Sequence, residues 1–450
     1  MPTTTPAPGE TVDCDEVVIA DWVVPVDGSG RVFSPGAVAI EGDTLVDVGS
    51  TDQVLARRSP RSTTRLDGHV LIPGLVNAHT HLAMTMFRGV ADDMDLAGFL
   101  GRVLPAEATV LDAERVEVAT RAAAVESVSA GVTTALDMYF FCDAALAAGD
   151  EVGLRIMTGP VVLDATGPDG MGPTERMAWA SGWLDDHPAR RGWRPVMAPH
   201  STYLVGREHL EATRELAAAH DATIHLHAAE TLEELADVIG RHGAAPVELL
   251  DDLGMLGERT VLAHGVHLDP DDIARVVARG ASVVHCPASN LKLAAGIAPV
   301  PDLLAAGATV ALGTDGPASS NDLDLLGAAR LAALVHKGVS GDPTVVDAPT
   351  VLSMATLGGA TALGLDDALG SLEVGKLADV VAVDLGTIHT RPVYDPVSSL
   401  VYAAGRGDVR EVWVGGRRVV RDGGATGVDP GRVADELDAL GPVVGSALGH

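Results

Sequence analysis

The 450-residue sequence predicts an α/β protein in which a (β/α)8 barrel is combined with a small β-sandwich domain. In the middle of the chain, short apolar runs alternate with Ala-, Leu- and Glu-rich helical stretches, the pattern of βα units around a parallel sheet. Short strand-like segments separated by Gly and Asp turns occupy both chain ends. Most of the apolar runs end in His or Asp, which packing alone does not explain. We therefore expect a closed TIM barrel with functional residues at its carboxyl face.

Eight apolar runs predict the barrel strands in chain order. They are GLVNAH (74–79), VTTALDMY (132–139), LRIMTGPVV (154–162), RPVMAPHS (194–201), TIHLHA (223–228), TVLAHG (260–265), ASVVHC (281–286) and TVALGT (309–314). Residues 67–371 are assigned to the barrel, and residues 1–66 with 372–450 to the small domain, which includes a C-terminal helix. The longest connection, residues 82–131, should overhang the barrel mouth.

Composition excludes several classes of partner. The formal charge of −31 repels phosphate backbones and anionic lipid surfaces, so neither nucleic acid nor a membrane is an expected partner. No apolar run approaches the ~18 residues of a transmembrane helix, and the N-terminus has no leader-like pattern, so a cytoplasmic location is expected. Cys14, Cys142 and Cys286 are few and widely spaced, which favours neither a disulfide framework nor a zinc finger. Any metal would be held by His and carboxylate.

The strongest local motif is NAHTH, with His79 and His81 two residues apart at a strand end. Side chains at i and i+2 of a strand share a face, so both imidazoles can point into the barrel and bind one cation. Three imidazoles and one carboxylate would suit Zn²⁺ or a similar divalent ion, and His227 and Asp315 are the candidates that complete the set. For Asp315, a turn that caps the following helix is an open alternative.

The segment IHLHAAET places His225 and His227 on one face, followed by Glu230. A carboxylate just beyond a metal-ligating histidine can take a proton from metal-bound water and deliver it to a leaving group. The alternative is a helix N-terminal carboxylate favoured by the dipole. His225 would lie one layer deeper, as a buried structural histidine.

Further histidines end other strands. His264 could orient an attacking hydroxide, whereas His200 and His285 could either anchor loops or contact substrate. The histidines in helical or loop contexts are expected to be exposed to solvent: His69, His187, His209, His220, His242, His336, His389 and His450.

Five motifs in order give the chain a resemblance to a known family. They are PGLVNAHTHLAMTMFRG, TTALDMYFF, HLHAAET, HCPASNLKLAAGIAPVPDLLAAGATVALGTDG and GSLEVGKLADVVAVD. Together they resemble the amidohydrolase superfamily and, within it, the branch of S-adenosylhomocysteine, 5′-methylthioadenosine and related adenosine aminohydrolases. The resemblance spans about residues 65–385.

The resemblance implies one catalytic divalent metal, with Zn²⁺ favoured and Fe²⁺ as the alternative. Glu230 and His264 match the positions that shuttle protons and position the hydroxide. The binuclear members' lysine is absent from the fourth strand, RPVMAPHS, which agrees with a single-metal enzyme. The implied metal ligands are His79, His81, His227 and Asp315.

The resemblance also implies substrate contacts. Glu107 matches a position whose carboxylate binds ribose hydroxyls, and His200 matches another substrate-contacting position. Relatives hold the carboxylate of S-adenosylhomocysteine with arginines near the third strand. Here Arg155 begins that strand and should point away from the mouth, which leaves Arg176 as a partial substitute. Relatives form dimers or tetramers, so a homo-oligomer is expected.

These features predict a hydrolytic deaminase of a 6-aminopurine nucleoside. The substrate would be adenosine, 5′-deoxyadenosine, 5′-methylthioadenosine or S-adenosylhomocysteine, and the products an inosine derivative and ammonia. Glu230 would protonate the ring nitrogen, and Asp315 would serve as ligand and second proton acceptor. The alternatives are a deaminase of guanine, a pterin or an s-triazine, and a non-catalytic metal-binding barrel.

Overall fold

The computed structural model describes residues 11–449, so the Thr- and Pro-rich start of the chain and His450 lie outside the described residues. The strands are β1 (Val12–Val23), β2 (Gly36–Glu41), β3 (Thr44–Ser50), β4 (Arg58–Pro73), β5 (Leu75–Thr80), β6 (Val132–Asp137), β7 (Arg155–Met157), β8 (Val161–Val162), β9 (Val196–Pro199), β10 (Thr223–Ala228), β11 (Thr260–His264), β12 (Ser282–His285), β13 (Thr309–Leu312), β14 (Val380–Asp384), β15 (Val409–Val414), β16 (Arg417–Arg421) and β17 (Gly424–Ala425).

Helices fill most of the connections. They are α1 (Thr51–Arg57), α2 (Leu96–Val110), α3 (Ala113–Ser129), α4 (Cys142–Val152), α5 (Pro173–Asp186), α6 (Arg207–Ala219), α7 (Leu232–His242), α8 (Pro246–Asp252), α9 (Pro270–Arg279), α10 (Pro287–Lys292), α11 (Val300–Ala305), α12 (Leu325–Ser340), α13 (Ala348–Met354), α14 (Leu357–Ala362), α15 (Pro396–Tyr402), α16 (Pro430–Asp438) and α17 (Gly441–Ala447), with 3-10 turns at Leu82–Phe87 and Arg406–Asp408. No helix among residues 11–449 combines the length and the apolarity needed to cross a bilayer.

Strands from both chain ends form one continuous sheet in the order β17-β16-β15-β14-β4-β1-β2-β3. β1 runs parallel to β4 and antiparallel to β2, and β14 runs antiparallel to both β4 and β15. Val18, Leu71 and Trp413 share one buried core of this sheet, and the Trp413 indole donates a hydrogen bond to Glu16 at 3.1 Å. The two chain ends therefore build one eight-stranded sheet.

Strands and helices from the two chain ends contact the barrel near the predicted domain limits. β4 pairs with β14 as far as Pro73, so the small sheet extends past residue 66. Helices α16 and α17 pack on the barrel helices α3 and α2, and Val444 joins the buried cluster of Phe99 and Val103. The domain limits stay a prediction, and the C-terminal helices contact the barrel rather than standing apart from it.

The barrel consists of parallel strands paired in two groups, β5-β6-β7 and β8-β9-β10-β11-β12-β13. The third predicted run is split, because β7 pairs with β6 whereas β8 pairs with β9. Between them, a Cβ on Gly159 would lie 1.9 Å from the Val196 carbonyl oxygen, an approach that only glycine permits. The third strand thus changes partner within its length.

The last strand closes the barrel against the first. The backbone N–H of Asp315, just after β13, donates to the His79 carbonyl at 3.1 Å, and a Cβ on Gly313 would lie 2.9 Å from the same oxygen. At the opposite end of the third strand, Arg155 pairs with Asp379 of the small domain at 2.5 Å and so points away from the mouth, as predicted. The predicted fold class is confirmed.

Candidate active site at the barrel mouth

The carboxyl ends of four barrel strands carry the candidate residues. His79 lies in β5, His227 in β10 and His264 at the end of β11, while Asp315 follows β13. Ala229, His264 and Asp315 adopt left-handed backbone conformations with φ of 53°, 76° and 61°. Such conformations cost on the order of 1–3 kcal/mol each in non-glycine residues and cluster at functional sites. Strained backbone therefore marks this face of the barrel.

Three imidazoles and one carboxylate converge at a buried point. The Nε2 atoms of His79 and His81 each lie 3.3 Å from Asp315 Oδ1, and the Nε2 atoms of His81 and His227 are 3.2 Å apart. His79 Nε2 is buried and has no hydrogen-bond partner among the described residues. Nitrogen lone pairs that face one another beside a carboxylate fit a divalent cation. The residues therefore have the composition and geometry of a metal site.

Hydrogen bonds behind the cluster fix the tautomers of two histidines. His81 Nδ1 is 2.6 Å from the Met138 carbonyl oxygen, and His227 Nδ1 is 2.7 Å from the His200 carbonyl oxygen. A carbonyl can only accept, so each Nδ1 donates its proton and each Nε2 keeps a free lone pair. The backbone thus prepares both rings to act as ligands.

Neighbouring side chains orient the other two members of the cluster. The His225 Nε2 atom lies 2.9 Å from His79 Nδ1, and His225 is fully buried, as predicted for a structural histidine. Asp315 Oδ2 accepts hydrogen bonds from the hydroxyls of Ser289 at 2.6 Å and Ser319 at 2.8 Å. Asp315 Oδ1 accepts the Gly316 backbone N–H at 2.7 Å, as in a turn, and also lies 3.3 Å from the Nε2 atoms of His79 and His81, which a turn alone does not require.

Glu230 and His264 lie beside the cluster. The Glu230 Oε1 atom is 3.7 Å from His264 Nε2, and both side chains are buried. Burial, followed by the negative charges of Asp315 and Glu234, raises the pKa of Glu230 well above its ordinary value. The Asn290 side-chain amide is 2.9 Å from His264 Nδ1 and fixes the plane of that ring. Glu230 therefore holds a proton more readily than an exposed glutamate does, and it lies next to the cluster.

These side chains open into a cavity of about 280 Å³. Its polar end contains His81, His200, His227, Glu230, His264 and Asp315, and its outer wall is mostly apolar. Helix α2 supplies much of that wall, so the connection after the first strand overhangs the mouth as predicted. No lysine or arginine lines the cavity within residues 11–449. The apolar wall residues include Met84, Leu96, Phe99, Leu100, Val103, Phe140 and Leu163.

Glu107 lies in the cavity wall on α2. The hydroxyl of Tyr139 donates to its Oε1 atom at 2.5 Å, and burial raises the pKa of Glu107 to about 7. His200 also faces the cavity and packs against His227, with ring centroids 4.6 Å apart. The structure thus brings both predicted substrate contacts to the cavity.

Two expectations from the sequence are corrected. Arg176 does not line the cavity: its guanidinium makes two hydrogen bonds to Asp169, at 2.7 and 2.6 Å, and is almost fully buried. His336 is buried rather than exposed, and its Nε2 atom is 3.2 Å from that of His285. His285 therefore faces α12 and not the cavity. The partner of His336 is distant in the sequence, whereas Asp169 precedes Arg176 by only seven residues and pairs with it across a loop.

Sequence reasoning missed several residues that support the site. Ser289 and Asn290 stand in HCPASN directly after β12, so their position beyond a strand end was an available signal. Ser319 and Tyr139 also follow strand ends. Glu234 looks like an ordinary residue of the first turn of α7, and only its contacts distinguish it.

Comparison with known proteins identifies the family. The model of the amidohydrolase family matches residues 70–419. The chain belongs to this family. The amidohydrolase is 41% identical to a 5-methylthioadenosine/S-adenosylhomocysteine deaminase from Syntrophobacter fumaroxidans, over 91% of this chain and 93% of the relative.

Solved structures agree with this assignment. An adenosine deaminase from Xanthomonas campestris with bound zinc is 38% identical, with a TM-score of 0.95 over 97% of this amidohydrolase and 100% of that chain. An atrazine chlorohydrolase from Arthrobacter aurescens complexed with zinc is 26% identical, with a TM-score of 0.88 over 95% of this chain and 100% of that one.

The geometry of the cluster predicts the metal content. Purified protein should carry about one divalent ion per chain, and His79→Ala or Asp315→Ala should lose it, since each removes one of the ligands of a four-ligand site. Elemental analysis by mass spectrometry measures the content, and His389→Ala, which alters an exposed histidine, is the matched control. Two tightly bound ions per chain, or full occupancy after either ligand substitution, would contradict a single site.

Proposed function

We propose that this amidohydrolase is a metal-dependent hydrolytic deaminase of 6-aminopurine nucleosides. The observation that carries the proposal is the single cavity that joins a cation-binding cluster, a protonatable Glu230 and a carboxyl group at Glu107. Relatives about 40% identical over most of the chain are named 5-methylthioadenosine/S-adenosylhomocysteine deaminases, which supports the same reaction here. The reaction replaces the exocyclic amine with oxygen from water and releases ammonia.

The proposed ligands are His79, His81, His227 and Asp315, and the proposed ion is Zn²⁺, with Fe²⁺ as the alternative. The zinc in both structural relatives supports this choice. A divalent cation in such a site supplies activated water, because it lowers the pKa of a bound water to about 7. His264 lies within 4.8 Å of the ligand atoms of His79 and His227, where its Nε2 atom can orient the attacking oxygen.

Glu230 acts as the proton donor in this proposal. Its raised pKa favours the protonated carboxyl, which can donate to the ring nitrogen of the substrate, and protonation of that nitrogen makes the adjacent carbon electrophilic. The second proton of the water returns to Glu230 as the ring carbonyl forms. Asp315 accepts the first proton, since its carboxylate lies against the cluster, with Oδ1 3.3 Å from the Nε2 atoms of His79 and His81. That proton leaves with ammonia.

The remaining wall of the cavity binds the nucleoside. Glu107 accepts from ribose hydroxyls, and His200 contacts the base. Arg176 is excluded as a carboxylate partner because Asp169 occupies its guanidinium.

The cysteines and the net charge bear on the compartment and the partners of the protein. Cys14, Cys142 and Cys286 are all free and buried, which supports a reducing, cytoplasmic compartment. The formal charge of −31 disfavours nucleic acid as a partner. The homo-oligomer stays a prediction.

Substrate choice provides the main test. An ammonia-release screen should give higher kcat/KM for adenosine, 5′-deoxyadenosine or 5′-methylthioadenosine than for S-adenosylhomocysteine, because the apolar wall offers no cationic partner to a carboxylate. If S-adenosylhomocysteine is the best substrate, this selectivity is wrong. Faster deamination of guanine, a pterin or an s-triazine than of every adenosine derivative would reject the nucleoside assignment, and no turnover by metal-loaded protein would favour a binding barrel.

The role of Glu230 can be separated from metal binding. Glu230→Gln keeps the shape of the side chain but removes its titrating proton, so kcat should fall by the ~10²–10⁴-fold typical of general acid–base catalysis. Metal content should remain at the wild-type level. Near-normal turnover would show that Glu230 is only a helix-end carboxylate.

Glu107 should give substrate binding a pH dependence. With a pKa of about 7, the carboxyl is neutral below that pH and charged above it, and ribose hydroxyls bond the charged form more strongly. KM should therefore fall as pH rises through 7, and Glu107→Gln should flatten the profile. Glu107→Ala should weaken nucleoside binding by about 1–3 kcal/mol.

The exposed Glu114 on α3 offers a matched control, because Glu114→Gln removes a carboxylate without altering the cavity. An unchanged pH profile in Glu107→Gln would show that this carboxyl does not bind the ribose.

A further inference from the structure

The turn between β10 and α7 carries Glu230, and the residue before it has an unfavourable backbone conformation. Ala229 has φ of 53°, a region that residues with a Cβ rarely adopt. The turn leads from His227 at the strand end to Thr231 at the N-cap of α7. Some other part of the structure has to hold this conformation, because the residues of the turn do not prefer it.

Glu234 makes the side-chain contacts that hold the turn, which is also bonded through the His267 backbone N–H to the Ala229 carbonyl at 2.9 Å. Its carboxylate accepts the backbone N–H of Glu230 at 2.7 Å and that of Ala229 at 3.2 Å, and the Thr202 hydroxyl donates to it at 3.4 Å. Only 5% of Glu234 is exposed, so these hydrogen bonds replace water that the carboxylate has lost. Two consecutive amides of the strained turn thus converge on one buried anion.

Ordinary helix capping does not account for this arrangement. In a capping box, a glutamate at the third helical position accepts from the N-cap backbone N–H, while the N-cap side chain accepts from the glutamate. Thr231 does accept from the Glu234 N–H at 3.2 Å. The Glu234 carboxylate, however, also reaches past the N-cap to Glu230 and Ala229, which are outside the helix. Its bonds therefore act on the residue that points into the cavity.

We propose that Glu234 is a positioning residue that fixes the backbone of Glu230 so that the Glu230 carboxyl faces His264 and the substrate. The proposal rests on the proposed function, since it assumes that Glu230 is the proton donor. A misplacement of about 1 Å at a reacting group can lower the rate by about 10²-fold. Loss of Glu234 should therefore act on kcat much more than on substrate or metal binding.

The test compares Glu234→Gln and Glu234→Ala with Glu233→Gln, an exposed neighbour on the same helix. The two backbone N–H groups bond different oxygens of the Glu234 carboxylate, and in glutamine one of these oxygens is replaced by an NH₂ group, which cannot accept. We expect kcat to fall by about 10–100-fold in both Glu234 variants, with KM within about threefold, metal content unchanged and Glu233→Gln unaffected. Wild-type kcat in Glu234→Gln, or equal losses in kcat and metal content, would overturn the proposal.

A double variant separates positioning from a purely structural role. If Glu234 acts through Glu230, adding Glu234→Gln to Glu230→Gln should reduce kcat by less than about threefold more, because the group being positioned is already inert. A multiplicative loss would overturn the proposal. If Glu230→Gln alone keeps normal kcat, the proposed acid fails, and this result is distinct from a failure of Glu234.

Hydrogen exchange gives a readout that does not depend on turnover. The amides of Ala229 and Glu230 should exchange faster in Glu234→Gln than in wild type, while the β10 amides keep their protection and the thermal midpoint shows that the protein is folded. Unchanged exchange at these two amides would show that Glu234 does not hold the turn. If Glu234→Ala does not fold, hydrogen exchange in Glu234→Gln still shows whether Glu234 holds the turn.

Discussion

The site depends on one electrostatic constraint. The lone pairs of several histidine nitrogens and the carboxylate of Asp315 are buried around one point. Unpaired polar groups are costly in an interior, and a cation satisfies all of them at once. The same cluster is tied to the fold, because the Asp315 backbone that closes the barrel bonds to the His79 carbonyl. Barrel closure and the assembly of the ligands therefore require the same approach of the last strand to the first.

The cavity controls protons rather than binding anions. Burial raises the pKa of both Glu107 and Glu230, and no lysine or arginine among the described lining residues counteracts this effect. A carboxyl group that keeps its proton can act as an acid, whereas a site lined by guanidinium groups would favour anionic ligands. The lining thus suits a neutral aminated ring, and the pKa of Glu230 is raised by burial and by the negative charges of Asp315 and Glu234.

Local patterns predicted the reactive part of the site. The two-residue period of a strand is enough to put His79 and His81 on one face, and the apolar runs locate His227, His264 and Asp315 at strand ends. Long-range contacts could not be predicted in this way. The burial of His336 against His285 depends on how α12 folds back onto the barrel.

The irregular third strand explains why the sequence predicts the residues that perform the chemistry better than the residues that select the substrate. Its split at Gly159 moves β8 to the side of β9, and the loop beyond β8 contributes Leu163 and Gly167 to the cavity wall. The regular strands thus position the groups that perform chemistry, whereas a broken strand and the α2 insertion shape the wall that meets the rest of the substrate. Regular strands leave a periodic signal in the sequence, but a change of strand partner leaves none, so the reaction class is more readable from this chain than the substrate.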